Sequence, residues 1–197
     1  MSFFSEHCNK KLPFFVFRVN MSLVITKYKI LIRRYKDKIY SYALYMVKNR
    51  FDAEDITQEV MIRIWTNINS FKVRSASSYI MRITHNLCID YLRVRKSTTN
   101  RFITLEEDSE NELSTGYNSS PEYLMHMNIM SEKLHKVIRE LPENLKSPFV
   151  LYELNGIKYN EISRVLDIPL NTVKVNILRA RKKIKEKLNS YEKHEVL

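Results

Sequence analysis

In the stretch Glu161-Ile162-Ser163-Arg164-Val165-Leu166-Asp167-Ile168-Pro169-Leu170-Asn171-Thr172-Val173-Lys174-Val175-Asn176-Ile177, a short amphipathic helix, a tight turn and a longer helix follow one another. Asn171 is expected to cap the longer helix, which continues to about Leu188. Its period buries Val173, Ile177, Ala180, Ile184 and Leu188 and leaves Thr172, Lys174, Val175, Asn176, Arg179, Lys182 and Lys183 outward. That is the profile of the second helix of a helix-turn-helix, the one that enters the major groove of duplex DNA. Thr172, Val175 and Asn176 offer hydroxyl, methyl and amide groups to base edges, whereas Lys174, Arg179, Arg181, Lys182 and Lys183 suit phosphates. A merely solvated basic helix is the plainer alternative.

Upstream of the motif, Leu141-Pro142-Glu143-Asn144 ends one helix. Phe149 to Leu154 is expected to form another, with Ser147 as its cap, Pro148 as its first residue and Asn155-Gly156 as its stop. Composition agrees with a helical chain. Only two of the 197 residues are glycine, so the positive-φ turns of hairpins are nearly absent. Gly116 and Gly156 lie forty apart, so neither a GxGxxG turn nor a GxxxxGK[ST] loop exists. Cys8, Cys88 and the five histidines show no metal-ligand spacing, and neither a metal nor a cofactor is expected. Lys10 to Phe17, the only signal-like stretch, is interrupted by Arg18 and is too short to span a bilayer, so no membrane insertion is expected and the chain reads as cytoplasmic.

A net charge of +11 and an isoelectric point near 9.6 point to a polyanionic partner, nucleic acid or an acidic membrane surface. The charge is unevenly spread: +11 over residues 1–96, −5 over 97–126 and +5 over 127–197. The middle block runs through Glu106-Glu107-Asp108-Ser109-Glu110-Asn111-Glu112 with little apolar period and reads as a linker. The expected fold is therefore all-α: two small helical domains, 22–96 and 127–191, joined by a flexible acidic linker, with a tail at 192–197. Residues 1–21 read as an N-terminal extension, since Met21-Ser22 would serve equally well as a start.

In the first unit, Ile32, Tyr35, Ile39, Tyr42 and Met46 make the apolar face of a helix over Tyr28 to Val47. Asp52 is expected to cap a second helix whose Ala53, Ile56, Val60, Ile64 and Ile68 are buried. Its other side carries Asp52, Asp55 and Glu59 with Ile62 among them, either a protein contact or a solvated face with one stray apolar residue. A third helix, about Ser77 to Arg95, buries Ile80, Ile83, Leu87, Tyr91 and Val94. Its Arg82, Asn86, Arg93 and Arg95, with Phe71, Lys72 and Arg74 in the preceding loop and Tyr79, could grip phosphates and base edges and stack on unpaired bases, with Asp90 on the same face able to hold an Arg in place; an ordinary polar face is the alternative.

Two stretches resemble one family. Asp52-Ala53-Glu54-Asp55-Ile56-Thr57-Gln58-Glu59-Val60 with Trp65, then Tyr79-Ile80-Met81-Arg82 through Asp90-Tyr91-Leu92-Arg93, is similar to region two of the extracytoplasmic-function bacterial RNA polymerase sigma factors. Leu141-Pro142-Glu143 through Tyr159-Asn160-Glu161-Ile162-Ser163, Asn171-Thr172-Val173-Lys174 and Arg179-Ala180-Arg181 looks like region four. The resemblance implies a polymerase specificity subunit, not an enzyme. It implies that Asp52, Asp55, Gln58, Glu59 and Ile62 dock on the core polymerase. The third helix and its preceding loop would open and read the promoter −10 element, and the last helix would read the −35 element. An anti-sigma factor is a partner by resemblance only. Tyr79 stands where the family often has Trp, and Pro169 replaces a small hydroxyl residue. A stand-alone helix-turn-helix regulator, which usually dimerises on paired half-sites, is the competing reading.

Overall fold

The computed structural model describes the backbone of residues 12–70, 76–99 and 121–195, and the side chains of 21–70, 76–97 and 130–191. Every element among the described residues is a helix: α1 (Leu12–Val47), α2 (Arg50–Thr66), α3 (Ala76–Thr99), α4 (Pro121–Glu140), α5 (Glu143–Phe149) with a π-helical turn at Val150–Leu154, α6 (Tyr159–Leu166) and α7 (Leu170–Glu195). They form the two all-α domains expected, α1–α3 and α4–α7. α1 begins well before Tyr28, and α3 and α4 run into both ends of the stretch read as linker, at residues 97–99 and 121–126.

The first bundle largely follows the apolar period. Tyr35, Ile39, Tyr42 and Met46 of α1 are buried, as are Ala53, Ile56, Val60, Ile64 and Ile68. Two local expectations fail. Asn49, not Asp52, caps α2: it is extended, and its side-chain oxygen accepts from the Asp52 N–H at 3.2 Å. Lys48 just before it adopts a left-handed φ of 61°, which turns the chain sharply enough to start the helix earlier. In α3 the buried line is Ala76, Ile80, Met81, Thr84 and Cys88, while Ile83, Leu87 and Tyr91 are half-buried and Val94 is 63% exposed. The inward face is thus turned by about one residue. Thr84 tolerates full burial because its hydroxyl donates to the Ile80 carbonyl one turn back, at 2.9 Å.

In the second bundle, Leu145, Phe149, Val150 and Leu151 pack with Ile162, Val165, Val173, Ile177 and Ala180. Pro148 sits inside α5 instead of opening a new helix. Its ring crowds the preceding turn and it has no N–H to donate, and the chain then widens into the π turn, where the Asn155 N–H reaches back to the Val150 carbonyl at 3.1 Å. Gly156 leaves that turn at φ 65°, a conformation that costs glycine little. α6 is stopped by Asp167 in the left-handed region, and the Ser163 hydroxyl donates to the Ile168 carbonyl at 2.6 Å, closing the turn. α7 starts at Leu170, one residue ahead of the expected cap Asn171, and the Val173 N–H donates to the Pro169 carbonyl at 3.1 Å.

The two bundles meet at the end of α1. Tyr42, Ala43, Leu44, Tyr45, Met46 and Val47 are all buried, because α2 and α3 cover one side and α4 and α5 the other. Tyr45 hydrogen-bonds His135 of α4, and the Ser147 hydroxyl lies 3.5 Å from the Met46 sulfur. Tyr42 shares a 2.8 Å hydrogen bond with Nδ1 of His85, and burial lowers the His85 pKa to about 4.

Unfolding lets His85 take up a proton below its ordinary pKa of 6.5, while the folded chain resists until about 4. Stability therefore falls as pH drops through that window, by about 3 kcal/mol from this group, and its contribution levels off below it. Urea unfolding across the window should show that slope, with a shallower one in His85→Gln; equal slopes would contradict it.

Candidate nucleic-acid interface

α7 carries an exposed face built by the turn that precedes it. Thr172, Lys174, Val175, Arg179, Lys182 and Lys183 are exposed, as read from the sequence, and Leu178, which that reading left out, is 66% exposed beside Val175 at 43%. Asn176 is a correction. It is 8% exposed, since three residues from Val173 and four from Ala180 place it on the inward face with Ile177. Its side chain therefore packs mostly against the bundle instead of standing out with Thr172 and Val175.

Arg181 likewise braces α7 instead of standing free. Its guanidinium binds Glu153 at 2.6 and 2.8 Å and lies 5.7 Å from the centre of the Tyr152 ring, which stacks flat on Tyr159 at 4.4 Å. This cation–π and ion-pair cluster ties the middle of α7 to the π turn and the start of α6. Lys182 keeps a loose 3.8 Å contact with Glu186.

On α2, Asp55, Gln58 and Ile62 are exposed in one row, Ile62 at 57%. Asp52 and Glu59 are half-buried at its margin, Glu59 accepting from Arg63 at 2.7 Å. Asp52 also faces α3: burial and its hydrogen bond with Asp52 push the Tyr91 phenol up to about 12. Trp65 stands edge-on to Tyr28, ring centres 5.1 Å apart, so the exposed row ends against a fixed aromatic pair.

On α3, Arg82, Asn86, Asp90, Arg93 and Arg95 are exposed and Tyr79 is half-buried. Asp90 accepts from Arg93 at 3.0 Å, an exposed pair worth little to stability but able to orient the guanidinium. Phe71, Lys72 and Arg74 lie outside the described residues. Arg82 reaches across to the second bundle and donates to the Arg164 carbonyl of α6, with Nε at 3.1 Å. Ser77 donates to Glu161 at 3.1 Å, and Asn155 Nδ2 donates to the Lys38 carbonyl at 3.1 Å while Lys38 Nζ donates to the Asn155 carbonyl at 2.6 Å. The sequence period gave no sign of this contact. Among the described residues no group of His, Cys, Asp or Glu could hold a metal ion, and no helix is long and apolar enough to cross a membrane.

Comparison with known proteins adds to this geometry. Residues 31–98 match the family Sigma-70 region 2, and residues 131–184 match Sigma-70, region 4. The ECF RNA polymerase sigma factor SigW of Bacillus subtilis is 34% identical over 161 residues, covering 78% of this chain and 84% of that one. SigE of Mycolicibacterium smegmatis is 30% identical over 158 residues, covering 80% of this chain and 60% of the longer relative. The fold is similar to that of the sigma factor RpoE solved in complex with the anti-sigma factor NepR from Bartonella quintana, with a TM-score of 0.69 at 18% identity over 82% of this chain and 96% of that one. The chain belongs to the extracytoplasmic-function sigma factors of RNA polymerase. It is a transcription initiation factor, and the two regions of the family coincide with its two bundles.

Removing the Asn155 side chain leaves the Lys38 carbonyl without one of its donors at a buried site, a loss of about 1–2 kcal/mol. Asn155→Ala should therefore speed amide exchange at the end of α1 and in α6 together. Unchanged exchange in both would show that the contact between bundles does not depend on it.

Proposed function

We propose that the exposed row on α2 docks on core RNA polymerase, that α3 with the loop before it reads the −10 element as a single strand, and that the outer face of α7 reads the −35 element as duplex. The observation that carries the reading is Ile62: an apolar side chain left exposed in line with Asp55 and Gln58, in a chain that is otherwise strongly basic. An acidic row with an apolar centre suits a protein partner and repels phosphates, so it separates the polymerase contact from the nucleic-acid contacts. Strand opening needs no nucleotide hydrolysis, because stacking and phosphate contacts to extruded bases offset the few kcal/mol lost on unstacking each base. The chain acts by binding and carries out no catalysis of its own, in the cytoplasm where the polymerase works.

Arg82 donates to the Arg164 carbonyl, and parting α6 from α3 would release it together with the rest of this face of α3 toward a DNA strand. On this reading the two bundles separate when the holoenzyme forms, the polymerase and DNA contacts offsetting the loss of the apolar contact at the end of α1. An anti-sigma factor would act by keeping them together; the structurally similar RpoE of Bartonella quintana was solved bound to such a partner. Residues 1–20 are proposed to be dispensable, which a chain starting at Met21 tests by run-off transcription.

Ile62→Asp and Glu59→Lys should each weaken core-polymerase binding about tenfold or more while leaving the melting temperature unchanged. Unaltered core affinity in both variants would overturn the α2 site. On α7, Lys174→Ala should weaken −35 binding alike across sequences and reduce the salt slope by about 1. Asn176→Ala should instead lower the melting temperature without altering base preference; a changed preference would mean Asn176 reaches the groove.

A further inference from the structure

Leu178 is the feature of the recognition helix that neither phosphate binding nor core packing accounts for. It is 66% exposed, and Val175, one turn before it on the same face, is 43% exposed. The core side of α7 is already supplied by Val173, Ile177, Ala180 and Ile184. Lys174 and Arg179 lie exposed on either side of the pair, and Lys182 follows one turn on. Three residues apart on a helix, Val175 and Leu178 are neighbours and make one small apolar ridge within a cationic face.

A cationic rim selects a polyanion and brings the ridge against whatever lies between its phosphates. In the major groove, the one apolar group that base pairs present is the C5-methyl of thymine. A protein partner large enough to bury the ridge would have to carry its own anions to match Lys174, Arg179 and Lys182, whereas duplex DNA supplies them at regular spacing. Asn176 is 8% exposed and sits on the inward side of α7, so Val175 and Leu178 supply most of the exposed side-chain surface between the cations.

We propose that Val175 and Leu178 form a thymine-methyl reader, so that the −35 preference of this chain is set by the position of one or two thymines packed on Leu178. The inference rests on α7 reading the −35 duplex, and it goes further by naming the group read and the residue that reads it. It also separates the roles along α7: Thr172 remains the polar base contact near the helix start, and Lys174, Arg179 and Lys182 position the helix without reading sequence.

The test uses the full chain bound to core RNA polymerase on the strongest promoter recovered from run-off transcription of a genomic fragment library. Thymidines of the upstream half are replaced one at a time by deoxyuridine, which removes the methyl and leaves every hydrogen-bonding group in place. Initiation should fall about fourfold at one or two positions, the worth of one buried methyl group, and not elsewhere. Leu178→Ala, a change at an exposed position, should lose that sensitivity while initiating from the uracil template as the unaltered chain does. Full activity at every substituted position, or sensitivity that persists in Leu178→Ala and in Val175→Ala, overturns the inference and leaves the −35 reading intact. Absence of initiation from every fragment removes the sigma reading itself, and the inference with it.

Discussion

Six consecutive buried residues, Tyr42 to Val47, hold the molecule together. An amphipathic helix buries one stripe; this one, over its last turn and a half, is enclosed on every side. Tyr42 faces α3 through His85, Tyr45 faces α4 through His135, and Met46 meets Ser147 of α5. The same segment therefore belongs to the cores of both bundles. Without the second bundle, apolar surface would stand open on the first, and the Tyr45 hydroxyl would lose its partner His135.

Around that anchor, the faces proposed to bind polymerase and DNA are exposed on α2 and α7 and partly engaged on α3. α2 turns its acidic row outward, opposite the side packed on α1. α7 is fixed by the Arg181, Glu153, Tyr152 and Tyr159 cluster and presents its basic face to solvent. α3 differs, because its outer face carries Arg82 and that residue is already engaged by α6. Apart from the buried Ser147–Met46 contact, the hydrogen bonds between the bundles are part-buried or exposed, and the apolar run at the end of α1 carries the rest of the contact. A partner with differential affinity for the separated state can shift such an equilibrium, since a ligand moves it only by what it gains in one state over the other.

Much of the architecture was legible. The stripe of α2 and the inward face of α7 follow the 3.6-residue period with large aliphatic residues, which a sequence scan recognises at once. α3 was misread because its inward positions are occupied by Ala76, Thr84 and Cys88, residues whose burial is decided by their neighbours more than by their own hydropathy. The unbroken apolar run from Tyr42 to Val47 is a readable signal of enclosure on all sides, of which the helical period picks out only Tyr42 and Met46. Asn176 was misplaced for the opposite reason: a polar side chain was taken to be outward although its spacing from Val173 and Ala180 is that of the core. The contact between the bundles had no sequence signature, since a guanidinium reaching a carbonyl of a helix about eighty residues later leaves no periodic trace.

The central claim is that the two bundles close on each other in the free protein and part when promoter DNA is read. Spin labels at Ser97→Cys on α3 and Lys185→Cys on α7, both exposed, report the separation directly by pulsed electron resonance. A short, narrow distance distribution in the free chain, replaced by a longer one in the complex with core polymerase and promoter DNA, is the expected result. The same short distance in a complex that initiates transcription would contradict it.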